Sequence, residues 1–152
     1  MESRLLVNKT SVVSKNGIVT AMHPLAAKVG ANILSEGGNA ADAAVAAAFA
    51  VGVVEPFMSG LGGGASILIH QAHEGRTRVI DGSVVVPGMA TDGMFELLDD
   101  GVKGSGIYGW RGTKNDESET GYKSVAIPGA VKAYTRLLDR FGSMSLKQVI
   151  EP

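Results

Sequence analysis

Apolar residues recur along the chain at several spacings, and each spacing predicts a different element. Gly17-Ile18-Val19-Thr20-Ala21 is a short, β-branched run behind Asn16-Gly17 and predicts a strand. His23-Pro24 then opens a helix, because proline costs nothing in the first turn. Leu25, Val29 and Ile33, at i, i+4 and i+8, give that helix one apolar stripe. Gly37-Gly38 ends it, glycine taking the left-handed C-terminal position without steric cost. Asn39 starts a second helix, with Asp42 three residues on as a capping-box-like partner. From Ala40 to Val54 that helix is apolar nearly all round, the pattern of a buried helix. Its alanines predict close contact with neighbours, at Ala44, Ala47 and Ala48 in particular. Glu55-Pro56 closes it.

Beyond the glycine-rich stretch 59–64 the period changes from helical to alternating. Ser66-Ile67-Leu68-Ile69-His70 and Thr77-Arg78-Val79-Ile80-Asp81 read as paired strands with Glu74-Gly75 at the turn. Thr91 is placed to cap a short helix through Leu98. Gly101 to Gly121 reads as a long polar loop. Pro128 opens another helix, with Val131, Tyr134, Leu138 and Phe141 on one face and Gly142 as its stop. Ser145 and Gln148 form a second capping pair for a last helix, which meets Glu151-Pro152 within two turns. A helix cut so early leads to the expectation that the chain is a fragment whose C-terminal continuation is missing.

Composition narrows the class. The 152 residues are 45% hydrophobic and 19% charged, with a net charge of −1, so a packed core is feasible and no basic field exists for nucleic acid or anionic lipid. Glycine, at 21 residues, is about twice its usual share, and aromatics are only 5%, so small residues do the packing. With no cysteine, disulfides, thiol nucleophiles and thiolate metal sites are excluded. The first 16 residues lack an apolar core of signal-peptide length, and the apolar run from Ala43 to Val54 falls short of the ~20 residues of a membrane span. The expectation is a soluble, cytoplasmic protein with no membrane partner.

Three patterns suggest chemistry. Gly60-Leu61-Gly62-Gly63-Gly64-Ala65, with Asp81 about 20 residues on, matches a dinucleotide fingerprint. That fingerprint needs a strand before and a helix after, whereas here a helix precedes and a strand follows. The stretch therefore reads as a tight helix-to-strand crossover. His23, His70 and His73 are the only imidazoles. His70 and His73 lie on or beside a strand without an acidic cluster, and His23 reads as a helix-opening residue. Ser59 lacks the spacing of a nucleophile elbow. The residues alone thus stop at an α/β layered domain with a glycine-rich crossover.

One resemblance goes further. Gly17-Ile18-Val19-Thr20-Ala21-Met22-His23-Pro24, then Ser35-Glu36-Gly37-Gly38-Asn39-Ala40-Ala41-Asp42-Ala43-Ala44, then Glu55-Pro56, then Ser59-Gly60-Leu61-Gly62-Gly63-Gly64, then Ile127-Pro128-Gly129-Ala130-Val131, resemble in order and spacing the start of γ-glutamyltranspeptidases. The resemblance implies an α/β layered fold, a partial αββα sandwich of the N-terminal-nucleophile hydrolase type. Residues 1–16 would be an extension, and 17–152 the N-terminal part of a large subunit. It further implies a precursor that cleaves itself and frees a threonine nucleophile with its own α-amine as base. Threonine and oxyanion donors would lie outside this chain, so the chain has no catalytic residue of its own and is expected to be inactive alone. Its partners would be the rest of the large subunit, the small subunit, and a small γ-glutamyl or related amide substrate, as in glutathione-type chemistry. No organic or metal cofactor is implied.

The same resemblance singles out Ser83. In the family, an aspartate-x-arginine-glutamate-x-x-proline segment supplies the arginine that pairs with the glutamyl α-carboxylate. Here the segment is Asp81-Gly82-Ser83-Val84-Val85-Val86-Pro87. A hydroxyl does not replace a bidentate guanidinium. Arg76, Arg78 and Arg111 are the candidates to compensate. An acylase of the same family with a non-glutamyl acyl group, and a non-catalytic scaffold, are the alternatives.

Overall fold

The computed structural model describes residues 11–99, 101–104 and 108–152. Most of the expected N-terminal extension over 1–16, and three residues of the 101–121 loop, lie outside them. The chain divides into two compact units, one from Met1–Gly60 with Leu137–Pro152, the other from Leu61–Arg136. No helix of the described residues is long and apolar enough to cross a membrane.

In the first unit, α1 (Pro24–Ser35) starts where expected. His23 is its cap, and its Nδ1 accepts a hydrogen bond from the Leu25 amide at 3.2 Å. Gly37, at φ +95°, ends it. The buried stripe is Ala26, Gly30 and Ile33, not Leu25, Val29 and Ile33; Leu25 is exposed. The reason is the approach of α2 (Ala40–Val54). A methyl at Gly30 would lie 2.9 Å from the Ala43 carbonyl oxygen and 2.7 Å from Val19 Cγ1, so only a bare backbone fits at the crossing. The expected strand Gly17–Ala21 does not form. Among the described residues it has no partner strand, and the segment instead lays Val19 on Gly30.

Asn39 and Asp42 form the expected capping box on α2: the Asn39 side chain accepts from the Ala41 and Asp42 amides, and Asp42 Oδ2 accepts from the Asn39 amide at 2.8 Å. The helix is buried mainly in its first half, through Ala41, Ala43, Val45, Ala46 and Ala47. Ala44 is exposed and Ala48 half-buried, contrary to the all-round pattern, and Val53 is 79% exposed.

Asp42 is wholly buried and closes the unit. Its carboxylate accepts from the Ser143 amide (3.0 and 3.1 Å), the Ser143 hydroxyl (2.6 Å) and the Met144 amide (3.2 Å), besides the Asn39 amide. Asn39 Nδ2 donates to the Phe141 carbonyl at 2.7 Å. The turn between α3 (Ala130–Phe141) and α4 (Leu146–Ile150) is thus tied to the start of α2. Burial alone would push the Asp42 carboxyl up, but the bonds from Ser143, Asn39 and Met144 outweigh it and hold it below its ordinary value. The Ser145–Gln148 capping box forms as expected, and α4 buries Val149.

In the second unit, β1 (Ala65–Gln71) and β2 (Arg76–Gly82) pair antiparallel, with Ala65 opposite Gly82 and Gln71 opposite Arg76. Ile67, Ile69 and Ile80 lie on the half-buried face; Leu68 and Val79, also opposite one another, are exposed. This two-stranded sheet is the only one among the described residues, so helices and sheet are both present, but a four-layer sandwich is not displayed. The helix expected at Thr91–Leu98 is replaced by backbone pairing. The Leu98 amide donates to the Gly112 carbonyl, and the Lys114 amide to the Glu96 carbonyl. Two long-range bonds satisfy groups that so short a helix would leave open at its ends. Within the described part of the 101–121 loop, Lys103 bridges to Arg111, and Thr113 is buried against Ser118. On α3 the buried residues are Ala130, Ala133, Leu137 and Leu138, whereas Val131 is partly exposed. Of the expected face, Leu138 is buried and Tyr134 and Phe141 are half-buried; Val131 lies at its edge, because the first turn is covered through Ala130 and Ala133 instead.

Three outcomes are expected for the first unit, all measurable by urea unfolding of the whole protein. Asp42→Ala strands four donors, and at ~1–3 kcal/mol per buried unsatisfied group the loss should reach about 3 kcal/mol or more. Because the folded carboxyl titrates below its ordinary value of 3.8, its stabilisation is complete above that value and disappears as pH falls through the folded-state value. Asp42→Asn should therefore flatten the fall in stability between about pH 5 and pH 2; parallel curves would contradict this. Ala47→Leu should cost about 1–3 kcal/mol by overpacking, while Ala44→Leu should stay within about 0.5 kcal/mol.

Candidate functional site

Ser83 lies one residue beyond the end of β2. Its amide donates to Asp81 Oδ1 at 2.9 Å and its hydroxyl to the same oxygen at 2.6 Å. This closed turn follows from the residue types: a short carboxylate takes the amide two residues on, and the serine hydroxyl adds a second donor. Both side chains are exposed. The hydroxyl bond, then the amide bond, hold the Asp81 carboxyl below its ordinary value, so it is anionic at neutral pH.

Backbone contact fixes the turn from below. A methyl on Gly82 would lie 2.5 Å from Ala133 Cβ, 2.9 Å from the Gly129 carbonyl oxygen and 3.0 Å from that of Ala65. One on Gly129 would collide with the Gly82 carbonyl oxygen, and one on Gly64 would meet the Val84 amide nitrogen at 3.1 Å. The amides of Gly129 and Ala130 both donate to the Gly63 carbonyl at 3.1 Å. The end of the glycine-rich crossover, the end of β2 and the start of α3 therefore meet without intervening side chains. Val85 then pairs with Ile127, its amide donating to the Ile127 carbonyl at 3.1 Å and its carbonyl accepting from the Ile127 amide at 2.9 Å.

Of the candidate compensating arginines, Arg78 and Arg111 have side-chain partners elsewhere in the unit, and Arg76 stands at the far end of the hairpin. Arg76 pairs in register with Gln71 at the turn end of the hairpin, and Ser83 lies past the opposite end. Arg78 binds Glu74 Oε2 at 2.6 Å and Gln71 Oε1. Arg111 donates from Nε to the Leu98 carbonyl at 2.6 Å.

The imidazoles do not converge. His23 caps α1; His70 bonds Thr77 Oγ1 across the hairpin at 3.0 Å; His73 lies in the turn, 3.6 Å from Glu74 Oε1. Among the described residues no three His, Asp or Glu side chains form a metal-ligating group. The glycine-rich stretch leads from α2 into β1, so it lacks the following helix that a dinucleotide fingerprint needs. Ser59 accepts no role beyond a backbone bond from its amide to the Glu55 carbonyl at 2.9 Å.

Sequence reasoning found the Asp81–Ser83 segment but not the bond between its ends, nor the reach of Asp42 to Ser143. A signal for the second was present: Asp42 is the one charged residue between Ala40 and Val54. A lone carboxylate in an apolar helix demands buried donors.

Known proteins resemble this chain in sequence and fold. The family model described as gamma-glutamyltranspeptidase matches residues 26–152. The acylase ACY 1 proenzyme of Pseudomonas sp. (strain V22) is 43% identical over 144 residues, which is 95% of this chain and 25% of the acylase. The glutathione hydrolase proenzyme of Bacillus subtilis (strain 168) is 40% identical over 140 residues, 92% of this chain and 22% of the hydrolase. Among solved structures, the gamma-glutamyltranspeptidase of Helicobacter pylori matches with a TM-score of 0.79 at 35% identity, over 94% of this chain and 38% of that one. The chain belongs to the gamma-glutamyltranspeptidase family, which includes glutathione hydrolases and acylases. It spans 22–25% of the length of these curated relatives.

The glycine contacts predict a sharp contrast between neighbours. Gly82→Ala should destabilise the protein by about 1–3 kcal/mol, since backbone and Ala133 cannot yield cheaply. Gly62→Ala, with nothing within 4 Å, should be close to neutral. Thermal melting of the two variants of the whole protein checks this, and equal losses would contradict the contact.

Proposed function

We propose that this chain forms the N-terminal part of the large subunit of a self-cleaving amidohydrolase or acyltransferase, within an αββα sandwich completed by the rest of the large subunit and by the small subunit. The names of the relatives, all proenzymes in the two cases quoted, support this reading. The nucleophile is a threonine hydroxyl outside this chain. It attacks the amide carbonyl, the leaving amine departs with a proton, and an acyl-enzyme remains. Water or an acceptor amine then takes the acyl group and restores the threonine. No cofactor enters these steps.

The Asp81–Ser83 turn carries the reading of specificity. In the family, the third residue of this segment is an arginine that pairs with the glutamyl α-carboxylate. Here it is a serine whose hydroxyl is already bonded to Asp81. Arg76 lies at the far end of the hairpin, and Arg78 is held there by Glu74 and Gln71. The site thus favours an acyl group that does not present an α-carboxylate at this point.

The test uses the full-length, processed protein with γ-glutamyl-p-nitroanilide and pentanoyl-p-nitroanilide. The native protein should show no preference for the γ-glutamyl compound, and Ser83→Arg should raise kcat/KM for it by about tenfold or more, the value of a charge-assisted hydrogen bond. A native preference for γ-glutamyl that Ser83→Arg leaves unchanged would overturn the reading.

A further inference from the structure

The Asp81 carboxylate has bonding capacity left over. Oδ1 takes both bonds from Ser83. Among the described residues Oδ2 takes none, and no lysine or arginine makes an ion pair with the group. The carboxylate is exposed, yet its position is not loose. The turn closes on Ser83, and Gly82 between them is pressed against Ala133 and the Gly129 carbonyl. A negative charge held in one place at a strand end, with an open oxygen, is a receptor for a hydrogen-bond donor.

We propose that Asp81 is a substrate-binding residue that receives the distal end of the acyl group and selects an acyl chain ending in an ammonium, or another strong donor, over one ending in a carboxylate. This rests on the reading above that the Asp81–Ser83 turn faces the acyl group. Two features of the geometry support it. The Ser83 hydroxyl spends its proton on Asp81, so at this turn it offers an incoming group only lone pairs. The second carboxylate oxygen offers lone pairs and a charge. Both side chains of the turn thus present only acceptors beyond their internal bonds, which suits a donor-bearing substrate and disfavours an anionic one. The carboxylate also stays ionised at neutral pH, since Ser83 holds its titration below the ordinary value.

The test compares two p-nitroanilides of equal length and opposite ends, 5-aminopentanoyl and glutaryl, in the full-length, processed protein. The native protein should favour 5-aminopentanoyl in kcat/KM by about tenfold or more. Asp81→Asn keeps an oxygen for Ser83 but removes the charge, and should reduce that ratio to within about threefold of unity. Asp81→Ser serves in its place should the first variant fail to fold. A native preference for glutaryl, or a ratio unchanged in the charge-free variant, would overturn the proposal. Ser83→Arg, measured beside it, separates the two claims. If Ser83→Arg moves the ratio toward glutaryl and Asp81→Asn does not move it, the turn faces the acyl group and only the role of Asp81 fails. If neither substitution moves it, the turn does not face the acyl group and both fail.

Discussion

Asp42 is a charge with no exposed surface, placed among alanines, and four donors converge on it from two distant stretches of chain. A buried carboxylate without partners would cost several kcal/mol in desolvation. With donors from Asn39, Ser143 and Met144 it becomes the fixed point between the start of α2 and the turn from α3 to α4. The apolar packing of the unit is arranged around that point. Ile33, Val45 and Val149, its largest fully buried aliphatic side chains, come from α1, α2 and α4. Hydrophobic burial supplies the bulk of the energy, at ~1.5–3 kcal/mol for each such side chain. Being non-directional, it does not say which turn belongs against which helix end; the carboxylate does.

The second unit solves the same problem without charge. Gly64, Gly82 and Gly129 bring three backbones together where no methyl fits, and the Gly63 carbonyl takes two amides from the start of α3. Contact between backbones is stiff, because no side chain can change rotamer to relieve it. That stiffness matters for the candidate site, since Asp81 and Ser83 flank Gly82. A turn held by rigid main chain presents its polar atoms at constant positions, which is what the proposed discrimination between acyl ends requires.

Much of this was legible in the residues. Asn39 with Asp42 and Ser145 with Gln148 carry local chemistry that needs no tertiary context, and both capping boxes form as expected; His23 before Pro24 opens α1 as expected, and its ring adds a cap that the sequence reading did not include. The hairpin was legible from alternation and the Glu74-Gly75 turn. What failed depended on neighbours. Val19 belongs to a run with strand character but no strand beside it. The stripes of α1 and α3 were read from the large residues Leu25 and Val131, while the true contact faces are Ala26–Gly30–Ile33 and Ala130–Ala133–Leu137. In a chain so rich in glycine and alanine, the tightest contacts are made by the smallest residues, and hydrophobicity alone shifts the predicted face toward larger residues at its edge, while Ile33 and Leu138 stay on the true one. The Thr91–Leu98 segment went the other way for the same reason: its backbone partners at Gly112 and Lys114 are far along the chain. At the candidate site, the position of Ser83 was visible by resemblance, but the use of its hydroxyl on Asp81 was visible only in the fold.

Membership in the gamma-glutamyltranspeptidase family places this chain among acylases and glutathione hydrolases alike, and in the proposed function the choice of acyl group falls to the turn at the end of β2. The account stands or falls on whether that turn meets the acyl group. The direct measurement is a crystal structure of the full-length, processed protein trapped as its acyl-enzyme with a 5-aminopentanoyl donor. The account predicts the distal ammonium within hydrogen-bonding reach of Asp81, at about 3 Å. An acyl chain ending away from both Asp81 and Ser83, with the turn facing only solvent, would contradict it.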